Sequence, residues 1–264
     1  MTLAFSGLPV ALPPGCAGVQ LEVADVVALL ASPSEPAGGA DPALLVLPES
    51  LRGAVLSRRA DYLAGRLAAQ EAVRLVSGEA TPVGRDDDGS PRWPDGLEGS
   101  ISHHGGLACA VARPASGGIG VDLAPLLEGS SLRAVWRRCL GEEERSRWEA
   151  PEAATIAFAA KECLFKAAHG RVQRFIGFDE AEIMTIEAAR SAVEMCHPVD
   201  VSDRRTEAEL SGPRPDEAPD RRMLAGTWTA VLADDLARLL GTATVTGAYA
   251  WEGGRLFAVV ALSA

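Results

Sequence analysis

The sequence predicts an α+β protein built of two similar lobes, each combining strands with helices. Runs with strand-like alternation and runs with helical spacing of apolar residues occur in both halves of the chain. The stretch "RPASGG" at 113–118 separates two strand-like runs, and 264 residues that are 47% hydrophobic can bury a sizeable core. We therefore divide the chain into an N-terminal lobe, residues 1–114, and a C-terminal lobe, residues 115–264.

The first half begins with a strand and a long helix. Residues 19–30, "VQLEVADVVALL", start with alternation and predict a strand, and apolar residues at helical spacing predict a helix over 48–77 that Gly78 ends. The turn-rich "GRDDDGSPRWPDG" predicts a loop. "SISHHGGLACAVA" then predicts two strands joined by a tight glycine turn. This half thus supplies both element types to one lobe.

The second half repeats this scheme. Its predicted elements are a strand at "GIGVDLA", helices over 130–149 and 152–169, a strand at "DEAEIMTIE", a further strand near 192–200, a mobile loop at 202–222, a helix over 224–240 and a closing hairpin. The loop is charged, rich in proline and poor in apolar residues. Two similar lobes follow from this order, although no repeat proves a duplication.

Composition excludes several classes of function. A net charge of −11 argues against a broad nucleic-acid surface, and no apolar run reaches the roughly 18 residues of a membrane span. The five cysteines are odd in number and form no CxxC pair, so we expect neither a disulfide framework nor a zinc site. We expect a cytoplasmic location. Local clusters of Arg and Lys suit either a small anionic ligand or solvated helix faces.

The segment "FAAKECLFKA" carries three charges among small and apolar residues. Glu162 and Lys166 are separated by four positions, so they share one face of the predicted helix. They could form an ordinary surface ion pair. The apolar neighbours instead indicate a buried helix, on which charges need partners such as opposite charges or a metal.

Two further stretches contain candidate site residues. Asp122 is the only charge in the apolar strand "GIGVDLAP", where it either caps a turn or, together with Glu162, offers hard oxygen ligands that suit Mg²⁺. His103 and His104 are adjacent on a strand and point to opposite faces, which makes a poor paired metal site. One of these two imidazoles could hydrogen-bond a phosphate beside the following glycines.

These stretches together resemble a known family. "SISH", then "GVD", then "FAAKECLFKA" is similar to the Sfp-type 4'-phosphopantetheinyl transferases, which have a serine-histidine strand, a G-[IV]-D-x-E strand and a [WF]-x-x-K-E-[SAC]-x-x-K helix. "RRADYLAGRLAAQEAV" resembles the arginine-rich N-terminal helix of that family, with its R-x-x-[FY]-x-x-x-R element. The resemblance covers most of residues 50–190 and the last twenty, and it implies a pseudo-twofold fold with coenzyme A bound between the lobes.

The resemblance also implies the chemistry. The enzyme would transfer the 4'-phosphopantetheine arm of coenzyme A to a serine of an apo acyl, aryl or peptidyl carrier protein, releasing 3',5'-adenosine bisphosphate. Asp122 and Glu162 would hold Mg²⁺, with Mn²⁺ as the other candidate ion. Glu162 would remove the serine proton, and Lys166 would stabilise the leaving phosphate. The residues expected to bind coenzyme A, mainly from the N-terminal lobe, are Arg58, Arg66, Arg85, Ser102, His103, Lys161 and Lys166.

Two departures from the family pattern matter. Ala124 stands where the family usually has a third carboxylate, and the segment 202–241 is longer than in compact members. Water could complete the Mg²⁺ shell. The alternative is a non-catalytic relative that binds coenzyme A or a carrier protein.

The expected partners follow from the family and from charge. We expect a monomer that binds no nucleic acid and no membrane. Because carrier proteins are typically acidic, an acidic enzyme needs a local basic patch to attract one. Arg171 and Arg174, beside Phe175 and Ile176, form the candidate docking surface, although a basic helix end is also favoured by the helix macrodipole.

Overall fold

The computed structural model describes residues 3–31, 47–189 and 225–264. The strands are β1 (Ser6–Gly7), β2 (Ala17–Glu22), β3 (Gly84–Arg85), β4 (Pro91–Arg92), β5 (Leu97–His104), β6 (Leu107–Pro114), β7 (Ile119–Pro125), β8 (Ala181–Ala188), β9 (Ala225–Leu232), β10 (Thr244–Glu252) and β11 (Arg255–Ala261). The helices are α1 (Val23–Ala31), α2 (Glu49–Arg52), α3 (Leu56–Ser77), α4 (Gly129–Arg138), α5 (Glu142–Arg147), α6 (Pro151–Val172) and α7 (Asp234–Leu240). A 3₁₀ turn spans Phe178–Glu180.

The first lobe is an antiparallel sheet of four strands in the order β1-β2-β6-β5, with α3 packed against it. Ala60, Ala64 and Ala68 bury one face of α3 completely, and their small side chains let the helix lie close to the sheet. Gly78 ends α3 in the left-handed region, with φ of 84°. Strands β3 and β4 form a separate small hairpin.

The second lobe is an antiparallel sheet of five strands in the order β7-β11-β10-β9-β8, covered by α6. Gly120 of β7 lies directly under α6, and a Cβ there would overlap the carbonyl oxygen of Cys163. Only glycine permits this close approach of helix and strand. The close packing brings Asp122 of β7 within reach of side chains on α6.

The two sheets meet where β5 packs beside β7. Arg113 joins the lobes because its Nη2 donates to the carbonyl oxygens of Gly118 and Leu262 at 2.8 and 2.7 Å, while its Nε donates to Glu98 at 2.6 Å. The prediction of an α+β protein with two lobes is confirmed. The division at residue 114 stays a prediction; the first sheet ends at Pro114 and the second begins at Ile119.

Several predicted elements are confirmed with small shifts. The helix predicted over 152–169 is α6, and the closing hairpin is β10–β11. "SISHHGGLACAVA" forms β5 and β6, "GIGVDLA" forms β7, and "DEAEIMTIE" forms β8. Each strand keeps one kind of pattern between turn residues, alternating in β5 and almost entirely apolar in β6 and β7, which is why the sequence pattern was sufficient.

Two predictions are wrong, one of a strand and one of a helix. Residues 19–30 form the end of β2 and then α1, because burial changes from every second residue to every third, at Val23, Val26 and Leu29. The helix predicted over 224–240 is strand β9 followed by α7. Alternate β9 residues such as Trp228 are buried, so residues 225–232 of the supposed extra segment 202–241 belong to the second sheet.

Two long helices predicted from the sequence are each divided. The helix over 48–77 stops at Gly53 and begins again after Val55, whose backbone is extended. The helix over 130–149 is α4 and α5, separated at Gly141. Glycine is a poor helix former in both places. The strand near 192–200 and the loop at 202–222 lie outside the described residues.

None of the helices in the described ranges is both long enough and apolar enough to cross a lipid bilayer.

Candidate active site

Helix α6 carries the two charged residues with four-residue spacing. Pro151 occupies its first turn, and Gln173 ends it in the left-handed region. Buried residues lie on most sides of α6, which confirms the expectation of a buried helix. Within residues 158–167, Glu162 and Lys166 are the charged residues that are partly exposed. They lie on the side of α6 that meets β7 and the first lobe.

Lys166 uses all three hydrogens of its ammonium group. Its Nζ donates to Oδ1 of Asp122 at 2.6 Å, to the carbonyl oxygen of Val121 at 3.0 Å and to Oγ of Ser102 at 3.2 Å. Burial disfavours the charged form, but attraction to Asp122, the hydrogen bond to it and Glu162 together raise the pKa of Lys166. Lys166 is therefore a firmly charged cation at the junction of the lobes.

Asp122 is 7% exposed and lies on β7. Its Oδ1 accepts hydrogen bonds from Lys166 and from Ser102 Oγ, the latter at 3.0 Å. Within the described residues its Oδ2 accepts none. The sequence left open whether this carboxylate caps a turn or faces a cation, and its present cation is Lys166.

Glu162 is a carboxylate without a hydrogen-bonding partner in the part of the chain that the structure describes. Burial and repulsion by Asp122 raise its pKa, and Lys166 opposes the shift. Two repelling carboxylates with free oxygens beside a single ammonium suit a further cation. Carboxylate oxygens are the ligands that Mg²⁺ prefers, so these residues fit that ion.

Among the residues that the structure describes, no third carboxylate joins this pair. Ala124 lies two residues after Asp122 on β7, on the same face of the strand, and it is buried in the hydrophobic core of the second lobe. Across residues 3–31, 47–189 and 225–264, no group of three or more His, Cys, Asp or Glu side chains converges. A cation held by Asp122 and Glu162 therefore needs water or substrate oxygens to complete its shell.

His103 and Arg58 lie beside this cluster. Partial desolvation lowers the pKa of His103, attraction to Asp61 opposes that, and the charges of Arg58 and Lys166 lower it further. Both His103 and Arg58 are exposed. The imidazole therefore lies in a locally positive field that suits an anion.

Arg66 and Arg85 are close to each other but differ in role. Arg66 is 8% exposed, donates Nη1 to the carbonyl oxygens of Val83 and Gly84, and lies over the ring of Tyr62. Its guanidinium thus supports the entry to β3. Arg85 is exposed and remains available to a ligand.

Arg59 is a candidate that our reading of the sequence missed. Its Nε is buried and has no hydrogen-bonding partner among the described residues. Arg59, Tyr62 and Arg66 match the R-x-x-[FY]-x-x-x-R spacing and share one face of α3, so the motif itself contained the signal.

Lys161 does not reach the cluster. It is completely buried, and its Nζ donates to Glu144 at 2.6 Å and to the carbonyl oxygens of Cys139 and Phe178 at 3.0 and 2.8 Å. Glu144 in turn accepts from the amides of Gly141 and Ile183. The expectation that Lys161 binds coenzyme A conflicts with this placement, and Lys161 holds α5, β8 and α6 together.

A cleft of about 1060 Å³ opens between the β3–β4 hairpin and α6. Asp88, Trp93 and Ile101 line it from the first lobe, and Glu162 and Lys166 line it from the second. His103 and Arg58 lie outside its wall. The free side of Glu162 therefore faces a space large enough for a small-molecule ligand.

The candidate docking surface is less basic than its sequence indicated. Arg174 donates two hydrogen bonds to Glu180, and Arg171 donates to the carbonyl oxygens of Leu239 and Ser263. Ile176 is buried, whereas Phe175 is 85% exposed at the rim of the cleft. The surface therefore presents an exposed aromatic ring and, of its two arginines, the uncompensated charge of Arg171 alone.

Comparisons with known proteins bear directly on this site. Residues 47–113 match the sequence model of the 4'-phosphopantetheinyl transferase N-terminal domain, and residues 118–215 match that of the 4'-phosphopantetheinyl transferase superfamily. The two matches together include α3, β5, β7 and α6, which carry the candidate site.

Individual relatives agree with these matches. The chain is 38% identical over 159 residues to Enterobactin synthase component D of Salmonella typhi, covering 58% of this chain and 66% of the relative. It is 32% identical over 153 residues to the 4'-phosphopantetheinyl transferase PptT of Mycobacterium tuberculosis, covering 54% and 66%. With Enterobactin synthase component D of Escherichia coli K12, 32% identity over 158 residues covers 57% and 74%. The aligned part thus spans just under two thirds of the first of these relatives.

Proposed function

We propose that this chain, which belongs to the 4'-phosphopantetheinyl transferase superfamily, transfers the 4'-phosphopantetheine arm of coenzyme A to a serine of an apo carrier protein. The observation that carries the proposal is the cluster of Asp122, Glu162 and Lys166 at the junction of the two sheets, beside a cleft. This combination of two acids and one cation suits phosphoryl transfer, in which positioning and charge neutralisation supply most of the catalysis.

Glu162 is the proposed general base. Its raised pKa brings the carboxylate closer to the operating pH, where a base is most effective, and its oxygens are free of protein donors among the described residues. It takes the proton of the carrier serine as the serine oxygen bonds to the phosphorus that carries pantetheine. The bond from that phosphorus to the bridging oxygen then breaks, and 3',5'-adenosine bisphosphate leaves.

Lys166 is the proposed stabiliser of the leaving phosphate. The ammonium is charged and already lies at the junction of the lobes. Its side chain keeps 29% exposure, so a phosphate oxygen can approach the ammonium group while its three hydrogen bonds hold it in place.

Asp122 and Glu162 would hold Mg²⁺, or Mn²⁺ as a substitute. When bound, this cation would neutralise charge on the pyrophosphate of coenzyme A. Asp122 contributes an oxygen that no described residue uses, and Glu162 contributes a partly desolvated carboxylate.

Coenzyme A would lie between the lobes. His103, Arg58 and Arg85 are the exposed groups proposed to bind its phosphates, and Arg59 joins them because of its unpartnered buried Nε within the described part. Arg66 is proposed to support this group of residues from behind by holding the start of β3.

The proposed partner is an acyl, peptidyl or aryl carrier protein, bound by a cytoplasmic monomer. Phe175 is the proposed contact, because a large exposed aromatic ring at the rim of a cleft is typical of protein interfaces. Arg174 would then contribute little net charge, since Glu180 neutralises it, whereas Arg171 keeps its charge because its partners are carbonyl oxygens.

The test is intact-mass spectrometry of an apo carrier protein incubated with this protein, coenzyme A and Mg²⁺, with EDTA added to a matched sample. Gain of one phosphopantetheine mass that EDTA prevents is the expected result. Glu162→Gln, which keeps the shape of the side chain, is the control for the protein itself. Binding of coenzyme A without any mass gain, across several unrelated carriers, would support the non-catalytic relative instead.

A further inference from the structure

Ser102 lies on β5 of the first lobe, but its hydroxyl is bonded entirely to the second lobe. The residue is 7% exposed. Its Oγ donates to Oδ1 of Asp122 at 3.0 Å and accepts from the amide of Leu123 at 3.1 Å and from Nζ of Lys166 at 3.2 Å. One hydroxyl therefore contacts two of the three residues proposed for catalysis and joins the two sheets.

We propose that Ser102 is a positioning residue, whose hydroxyl orients Asp122 and Lys166 for the cation and for phosphate. A serine hydroxyl has one hydrogen to donate and two lone pairs to accept. All three are used here. Losing the hydroxyl would therefore leave the buried Asp122 carboxylate and the Leu123 amide each without one partner.

The consequence for Asp122 follows from which oxygen is engaged. Ser102 and Lys166 both bind Oδ1, so the carboxylate is held from two directions on one oxygen while Oδ2 accepts nothing from the described residues. Without the hydroxyl, only the lysine would orient the carboxylate, and the group could rotate. Partners that orient a metal ligand commonly contribute tenfold or more to metal affinity.

The consequence for the lobes is independent of the cation. Ser102 binds the backbone amide of Leu123 as well as its neighbour Asp122, so β5 and β7 are kept in one alignment at the site. The side chains of the first lobe, such as His103, thereby keep a constant distance from those of the second. The inference rests on the proposed function only for the identity of the cation and the ligand.

The experiment measures Mn²⁺ binding by electron paramagnetic resonance, with coenzyme A present and no carrier protein, so that no turnover occurs. Ser102→Ala should weaken Mn²⁺ binding by about tenfold or more. The matched control is Ser100→Ala, because Ser100 is also buried, lies on the same face of β5 and makes no hydrogen bond through its hydroxyl in the described structure. It should change the affinity by less than about twofold.

A near-isosteric pair covers the case in which Ser102→Ala fails to fold. Ser102→Thr keeps the hydroxyl and Ser102→Val removes it at nearly the same volume, so the difference between them reports the hydroxyl alone. The expected result is Mn²⁺ binding by the Thr variant that exceeds that of the Val variant by about tenfold. Equal binding by these two, or by Ser102→Ala and the wild type, would overturn the positioning role.

The failure of this inference can be told from failure of the proposed function. A wild-type protein that transfers phosphopantetheine, combined with unchanged Mn²⁺ binding in Ser102→Ala, refutes the role of Ser102 alone. A wild-type protein that binds Mn²⁺ but modifies no carrier refutes the transferase assignment and leaves the effect of Ser102 on the cation to be read directly.

Discussion

Lys166 and Asp122 form a direct ion pair in which Nζ lies 2.6 Å from Oδ1, joining α6 to β7 at the meeting point of the two lobes. The pair is largely buried, with side-chain exposures of 29% and 10%. A buried carboxylate that loses its cation is strongly destabilising, whereas a second cation can replace the first. Lys166 and a divalent cation therefore compensate the same charge.

This relationship predicts the behaviour of Lys166→Met. In EDTA the variant should lose about 3 kcal/mol of unfolding free energy, because Asp122 is left without its partner. Added Mg²⁺ should raise the melting temperature of the variant more than that of the wild type, and transfer should still be lost. Thermal unfolding with EDTA or Mg²⁺ measures this. An equal Mg²⁺ effect in both proteins would mean that lysine and cation do not share a carboxylate.

Glu162→Gln should abolish transfer, leave coenzyme A binding largely intact and stabilise the metal-free protein. Burial and repulsion by Asp122 raise the pKa of Glu162, so its charged form destabilises the folded state. Below the pKa of an unfolded glutamate, both states bind the proton and the variant has no advantage. The advantage opens as pH rises above that value and is complete above the raised folded pKa.

Chemical unfolding of the wild type and of Glu162→Gln in EDTA across this pH range tests the sign of the stability difference. A stability difference that grows toward acid pH would contradict the assignment. Near-normal turnover by Glu162→Gln would refute its role as the base.

Lys161→Met should destabilise the fold by about 3–5 kcal/mol, because the carboxyl group of Glu144, which is 2% exposed, would lose its cation. The double variant Lys161→Met with Glu144→Gln should recover part of the loss, since a glutamine can still accept from Gly141 and Ile183. Urea unfolding of the two variants provides the comparison. The exposed pair of Arg238 and Asp235 is the control: Arg238→Met should have little effect.

Gly120→Ala should destabilise the protein by about 3 kcal/mol or more, because the added Cβ would overlap the Cys163 carbonyl oxygen of α6 and neither backbone can move alone. Gly170→Ala tests the same change at an open position of α6, where nothing lies near the added Cβ. It should be neutral or stabilising by up to about 1 kcal/mol. Similar melting temperatures for the two variants would argue against close packing of α6 on β7.

Ala124→Glu should lower stability in EDTA and tighten Mn²⁺ binding. The new carboxylate would be buried on the face of β7 that carries Asp122, where it adds repulsion without metal and a ligand with metal. Isothermal titration with Mn²⁺ measures the second effect. An unchanged titration would show that residue 124 does not face the cation.

The sequence by itself determined most of the cluster formed by Asp122, Glu162 and Lys166. The spacing of Glu162 and Lys166 follows from the helical period, and Asp122 was visible as the only charge in an apolar strand. The helix α6, the strands β5 to β8 and the final hairpin were predictable because each keeps one kind of pattern, alternating or almost entirely apolar, between turn residues. Segments in which the period changes, such as 19–30 and 224–240, were not.

Only the tertiary structure decided which partner each polar group has. Ser102 and Lys161 have partners that their motifs do not show: Ser102 bonds to Asp122, Leu123 and Lys166, and Lys161 bonds to Glu144 on a separate helix. The physical reason is that periodicity specifies which side chains share a face of one element. It does not specify what packs opposite that face, and for a buried polar group the opposite face decides its role.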